Sequence, residues 1–148
     1  RFSASDMEHG ILRGNARPPR VPWRPFGRRD PRRHLAVREP DPRIHFALVC
    51  ASRACPPIDA YDADELEHQL DTSARTFING LTRIDRDRRV LHLSRVFQWY
   101  RRDFPPGDPA LARYVARHLH APEAAAWLDA HAEAVRLRYD PYDWRLNR

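Results

Sequence analysis

Residues 81–94 read LTRIDRDRRVLHLS, and this stretch decides the fold class. Its two ends, Leu81–Arg86 and Val90–Leu93, each contain apolar residues and read as the two short strands of a hairpin. The charged residues between the two ends can form a turn. The stretch therefore predicts a β-hairpin.

Outward from this hairpin, the pattern predicts further strands. Arg43–Val49 has largely apolar residues on both faces, which favours a central strand covered on both sides. Residues 135–139 (VRLRY) alternate as a last strand. Helices are predicted to begin near Asp62, Ser94, Asp108 and Pro122. This order predicts an α+β fold, with a small, mainly antiparallel sheet and helices packed around it, in a single domain of residues 1–148.

Two of the helices have clear sequence signals. Ser5 and Glu8 have capping-box spacing, which predicts a short helix from Asp6 to about Arg13. The second helix has a stripe of apolar residues at helical spacing and ends near Asn79-Gly80. The residues of that stripe are Leu66, Leu70, Ala74 and Phe77.

The positive charge of the chain is concentrated in one stretch. Residues 17–33 hold seven Arg and one Asp, a net of +6, so the remaining 19 Arg and 19 acidic residues balance. Twelve of these 17 residues are Arg or Pro, which excludes a helix or a central strand. We expect an Arg/Pro-rich loop over residues 17–40. It lacks the interleaved aromatic residues and the motifs of nucleic-acid binding, and no apolar run approaches the roughly 20 residues of a membrane span.

Both cysteines lie in residues 44–58, IHFALVCASRACPPI. Cys50 follows the predicted strand, and small residues after it leave room for a substrate carbonyl and for backbone N–H groups near Ala51 and Ser52 to bind an oxyanion. Three other roles stay open. Cys50 could be a buried core residue, it could form a disulfide with Cys55, or both cysteines could bind a metal together with His9 and His45.

Four motifs together resemble domain-of-unknown-function family number 547. They are DMEHGILR (6–13), DPRIHFALVCASRACPPIDAYDADELEHQLDTSARTFIN (41–79), LSRVFQWYRRDF (93–104) and YDPYDWRLN (139–147). Family members typically carry an aromatic-Asn-x-Tyr-Asn segment that would precede Arg1, so part of the domain is expected to be missing. The resemblance also implies export to the periplasm or out of the cell.

The family is related, by proposal, to papain-like and transglutaminase-like cysteine hydrolases. The resemblance implies that Cys50 is the nucleophile, that His9 and Glu8 take part in catalysis, and that Ser52 and Cys55 belong to the site. His9 would activate the thiol and move the proton. By the same resemblance His45 is not required. An alternating strand would also turn His45 to the face opposite Cys50, which counts against a metal site that includes both.

Other residues could replace His9 or Glu8. His92 lies within a predicted strand and is a second candidate base. Asp143, in the C-terminal tail, could orient the histidine in place of Glu8, whose simpler role is in the capping box.

The sequence thus predicts a cysteine-dependent hydrolase or acyl transferase, or an inactive descendant, acting on an amide, peptide or thioester bond of a small peptide or thiol-peptide. No cofactor and no metal are expected. The alternative is a binding or scaffold module for an anionic small molecule or a protein partner. That alternative predicts salt-sensitive binding through the loop arginines, which are Arg28, Arg29, Arg32 and Arg33.

Overall fold

The predicted hairpin forms in the computed structural model, which describes residues 1–48, 52–55 and 60–146. Its first strand is shorter than predicted, because Leu81 is the last residue of the preceding helix. Strand β1 (Arg83–Asp85) pairs antiparallel with β2 (Val90–Ser94). Leu91 and Leu93 of β2 are completely buried. The side chain of His92, between them, therefore lies on the opposite face of the sheet.

A third strand completes the sheet beside β2. Strand β3 (Arg136–Asp140) runs parallel to β2, so the strand order is β1-β2-β3. The predicted α+β fold with a small sheet and surrounding helices is confirmed.

The predicted helices also form, and together they cover the apolar face of the sheet. The Ser94 hydroxyl caps the second of them by accepting from the backbone N–H of Val96 at 3.3 Å. The helices are α1 (Leu66–Leu81), α2 (Arg95–Trp99), α3 (Asp108–His118) and α4 (Pro122–Ala130).

The strand predicted at Arg43–Val49 is wrong over its described residues. Pro42–Phe46 forms a 3-10 helix instead, and the backbone N–H groups of Ala47 and Leu48 both bond to the carbonyl of Ile44. Hydrogen bonds within this segment thus replace the bonds that a strand would make to a neighbouring strand. The reason is the side chain of Phe46, which is completely buried among the rings of Phe77, Phe97 and Phe104.

The chain divides into two compact units, Arg1–Pro42 and Arg43–Arg148. The first contains a π-helix, Asp6–Leu12, in place of the predicted helix from Asp6 to Arg13. The predicted Ser5 cap is wrong, because Ser5 makes no side-chain capping bond. Ser3 and Asp6 form the reciprocal pair instead, with each backbone N–H bonded to the other side chain.

The Arg/Pro-rich loop is ordered around Phe26, which is buried, whereas Trp23 is 70% exposed. The side chain of Asn15 bonds to both the backbone N–H and the carbonyl of Phe26 at 3.0 Å. One 3-10 helix, Pro31–Leu35, lies within the loop. Within the described ranges, no helix is long and apolar enough to cross a bilayer.

Close packing of the π-helix on Phe26 gives a testable prediction. An added Cβ at Gly10 would overlap the Phe26 ring. We expect Gly10→Ala to lower the free energy of unfolding by about 1–3 kcal/mol, the usual cost of overpacking, as measured by urea denaturation. Gly27→Ala is the matched control, since its Cβ would meet no atom within 4 Å. Equal effects of the two substitutions would contradict this packing.

Candidate functional site

The second unit contains an open cleft of about 250 Å³ at the end of the sheet where β2 and β3 terminate. Arg83 of β1, Ser94 of β2 and Asp140 of β3 contribute side chains to its wall. The rest of the wall includes Tyr142 and Ala54, and Ala54 immediately precedes Cys55 in the chain. The cleft is thus built from the ends of three strands and from the segment that carries a cysteine.

His92 and Asp140 form an imidazole–carboxylate pair, and Asp140 lines this cleft. Nδ1 of His92 lies 2.9 Å from Oδ1 of Asp140. A carboxylate can only accept, so Nδ1 donates to Asp140, and in the neutral ring Nε2 keeps its lone pair. Nη2 of Arg83 lies at a longer distance, 3.3 Å, from the same Nδ1. The hydrogen bond from His92 lowers the pKa of Asp140 below its usual range. The His92 side chain is 14% exposed, so the pair lies at the border between core and solvent.

The cysteine segment is attached to the C-terminal tail. The Ser52 hydroxyl donates to the Tyr142 hydroxyl at 2.9 Å, and the backbone N–H of Arg53 donates to the carbonyl of Arg145 at 2.8 Å. The thiol of Cys55 lies 3.8 Å from the carbonyl oxygen of Leu48. Ser52 is therefore held by its side chain, and its hydroxyl hydrogen already has an acceptor.

Two of the predicted site residues, Cys50 and Ala51, lie outside the described residues. The predicted nucleophile and half of the predicted oxyanion site therefore remain predictions. The Cys50–Cys55 disulfide considered from the sequence remains open for the same reason.

His9 is buried, with 8% of its surface exposed. Its Nδ1 lies 2.9 Å from Nη1 of Arg13 and 3.4 Å from Oε1 of Glu8. Neighbouring residues on an ordinary helix do not face each other, yet here the Glu8 carboxylate lies beside the imidazole. Arginine can only donate, so Nδ1 of His9 accepts this bond and the neutral ring carries its proton on Nε2.

Sequence reasoning missed a second imidazole–carboxylate pair. Nε2 of His45 donates to Oδ2 of Asp103 at 2.8 Å, and the two side chains are 1% and 10% exposed. The Tyr100 ring stacks on the imidazole with the centroids 3.9 Å apart. Since the ring is sealed from solvent, we assign this pair to the core, where it holds the 3-10 helix against the residues that follow α2.

The predicted alternative orienter, Asp143, pairs with Arg145 at 2.6 Å. The hydrogen bond from the Arg145 side chain is the main cause that lowers the pKa of Asp143 to about 2. Asp140, three residues earlier, is the carboxylate that reaches His92. Asp140 directly follows the predicted strand 135–139, so its position was the sequence signal for this partner.

The predicted anion-binding arginines differ in their surroundings. Arg32 is held by Asp30 at 2.7 Å and by Asp6 at 3.1 Å, and its side-chain bond lowers the pKa of Asp30 to about 2. Arg28, Arg29 and Arg33 are exposed. Three of the four arginines thus present their charge to solvent.

Across residues 1–48, 52–55 and 60–146, no group of three His, Cys, Asp or Glu side chains has the arrangement of a metal site.

Comparison with known proteins identifies the family. No curated protein and no solved structure matches the chain. The family model described as a protein of unknown function, DUF547, matches residues 1–78. This match includes both cysteines and His9, and it spans just over half of the 148 residues. The chain belongs to the DUF547 family.

Proposed function

We propose that the chain is a cysteine-dependent hydrolase or acyl transferase acting on an amide, peptide or thioester bond, or an inactive descendant of such an enzyme, with Cys50 as the nucleophile. The observation that carries this proposal is the His92–Asp140 pair at 2.9 Å. Asp140 lines an open cleft whose wall also includes Ala54, which lies between the two cysteines in the sequence. The relation to papain-like and transglutaminase-like hydrolases, implied by the resemblance, is part of the proposal.

The described contacts favour His92 over His9 as the proton acceptor. Arg13 donates into Nδ1 of His9, which leaves the neutral ring with a proton on its other nitrogen. Asp140 accepts from Nδ1 of His92, which leaves a lone pair on Nε2. A general base needs such a lone pair and a carboxylate that orients the ring. In this proposal His92, and not His9, takes the proton.

The proposed reaction has two stages. In the first, the Cys50 thiol gives its proton to His92, and the sulfur adds to the substrate carbonyl carbon to form an oxyanion. Backbone N–H groups near Ala51 and Ser52 hold that oxyanion. The bond to the leaving group then breaks, and the leaving amine or thiolate takes the proton from the imidazolium.

In the second stage, water or an acceptor amine attacks the acyl-thioester and gives its proton to His92. The C–S bond breaks, and the thiolate recovers a proton from the imidazolium. Water as the acceptor makes the protein a hydrolase, and an amine makes it a transferase.

The test is alkylation of the folded protein with iodoacetamide at neutral pH, with the modified residue identified by peptide mass analysis. We expect Cys50 to react faster than cysteine in an unstructured peptide, because a neighbouring imidazole favours the thiolate. The matched control is Cys55→Ala, which should keep the fast reaction, whereas Cys50→Ala should abolish it. If neither cysteine reacts, the proposal is wrong. Turnover of a thioester or amide reporter that is unchanged in Cys50→Ala would also contradict it.

A binding or scaffold module for an anionic small molecule or a protein partner is the second candidate. The observation in its favour is the exposure of Arg28, Arg29 and Arg33, within a stretch whose net charge is +6 over residues 17–33. Because Arg32 already holds two carboxylates, it contributes less to this surface than the sequence indicates.

A further inference from the structure

The face of the sheet opposite the core carries a row of three basic side chains. The strand register places Arg83 of β1 opposite His92 of β2, and His92 opposite Arg138 of β3. Residues directly opposite each other in paired strands point to the same face, with their Cβ atoms about 4.5–5.5 Å apart. Leu91 and Leu93 occupy the buried face. The three basic side chains thus share what we call the outer face, which contains Arg83, His92 and Arg138.

Positive charge exceeds negative charge on the outer face. Arg136 lies on the same face of β3, two residues before Arg138. The carboxylates that belong to this face already have partners. Asp140 accepts from His92 at 2.9 Å, and Asp85 accepts from the backbone N–H of Arg88 at 2.9 Å.

The side chain of Arg83 is available to a ligand. It is 70% exposed, and its Nη2 lies 3.3 Å from Nδ1 of His92 and 3.4 Å from Oδ2 of Asp140, both of them long contacts. Arg83 also lines the cleft. A ligand in the cleft therefore lies within reach of a guanidinium whose fork matches the two oxygens of a carboxylate.

We propose that the substrate carries a carboxylate, which Arg83 and Arg138 bind over His92 on the outer face while the reacting carbonyl occupies the cleft. This inference rests on the proposed function and adds a substrate class to it. The substrate is an acidic peptide or another acyl compound with a carboxylate near the bond that breaks. Arg83 and Arg138 are then specificity-determining residues.

A binding experiment that needs no thiol chemistry tests the inference. Glutarate has two charged carboxylates where glutaramide has two neutral amides, and the two compounds are otherwise the same. Each is added to the folded protein, and the backbone amide NMR signals of Arg83, His92 and Arg138 are followed. We expect saturable shifts with glutarate and none with glutaramide. Arg83→Gln should weaken glutarate binding by about two- to fivefold, the upper part of the range for an exposed ion pair, because the guanidinium fork can bind both carboxylate oxygens. Arg113→Gln, which removes the same charge from α3, is the matched control.

Equal shifts with both compounds would overturn the inference, as would glutarate binding that ignores both Arg83→Gln and Arg138→Gln. A second measurement connects the binding to the thiol. The ratio of the iodoacetate rate to the iodoacetamide rate should be higher for Cys50 than for cysteine in an unstructured peptide. Arg83→Gln should remove this difference. Glutarate binding without any alkylation of Cys50 would refute the proposed function and leave the carboxylate site standing.

Discussion

Phe46→Ala is expected to lower the free energy of unfolding by about 3–5 kcal/mol, the usual cost of removing a buried aromatic side chain. Phe46 is completely buried, and its ring centroid lies 4.9 Å from that of Phe77 and 5.5 Å from that of Phe97. The substitution removes the ring on which three separate parts of the chain pack. Urea denaturation followed by circular dichroism measures the change.

Leu48→Ala is the control that tests the corrected structure of this segment. An alternating strand would place Phe46 and Leu48 on the same face, and both substitutions would then be costly. In the 3-10 helix and the turn after it, Leu48 is 37% exposed, so its truncation should cost less than about 1 kcal/mol. Similar losses for the two substitutions would contradict the observed backbone.

His92→Gln is expected to slow alkylation of Cys50 at pH 6.5 by about 10- to 100-fold. The reason is that a thiol without an imidazole partner is only about 1% thiolate at that pH. Asp140→Asn should cause a smaller loss, because Asp140 acts by orienting the ring through its bond at 2.9 Å. The rate is measured in a Cys55→Ala background, so that a single thiol reacts.

His9→Gln is the comparison that separates the two candidate bases. Since Arg13 donates into Nδ1 of His9, we expect this substitution to leave the pH dependence of alkylation largely unchanged. If His9→Gln slowed the reaction and His92→Gln did not, the base assigned from the resemblance would be correct and our assignment would be wrong. Circular dichroism of each variant checks that the fold is kept.

Sequence pattern predicted those parts of the fold in which local periodicity is long. The stripe Leu66, Leu70, Ala74 and Phe77 predicted α1, alternation predicted β3, and a charged turn between two short apolar segments predicted the hairpin. The segment Arg43–Val49 was misassigned because a short apolar run fits a strand and a buried turn equally well. The backbone conformation of this segment depends on the packing of Phe46 against rings that are distant in sequence. Local periodicity cannot predict such contacts.

The candidate site was predicted only in part, for a similar reason. His92 was identified as a possible base from its place in a strand, but its partner depends on the register that brings Asp140 beside Ser94. His45 and Asp103 are 58 residues apart, and no local pattern connects them. Motif resemblance indicated His9, whereas the direction of its hydrogen bond with Arg13 is visible only in the structure.

The most direct test of the account is an NMR measurement of the histidine side-chain nitrogens before and after the Cys50 thiol is blocked as a methyl disulfide, in the Cys55→Ala background. If His92 is the partner of that thiol, its Nε2 signal should shift on blocking, while the signals of the buried His45 stay in place. A His92 signal that does not respond, together with a His9 signal that does, would contradict the assignment of the base to the sheet.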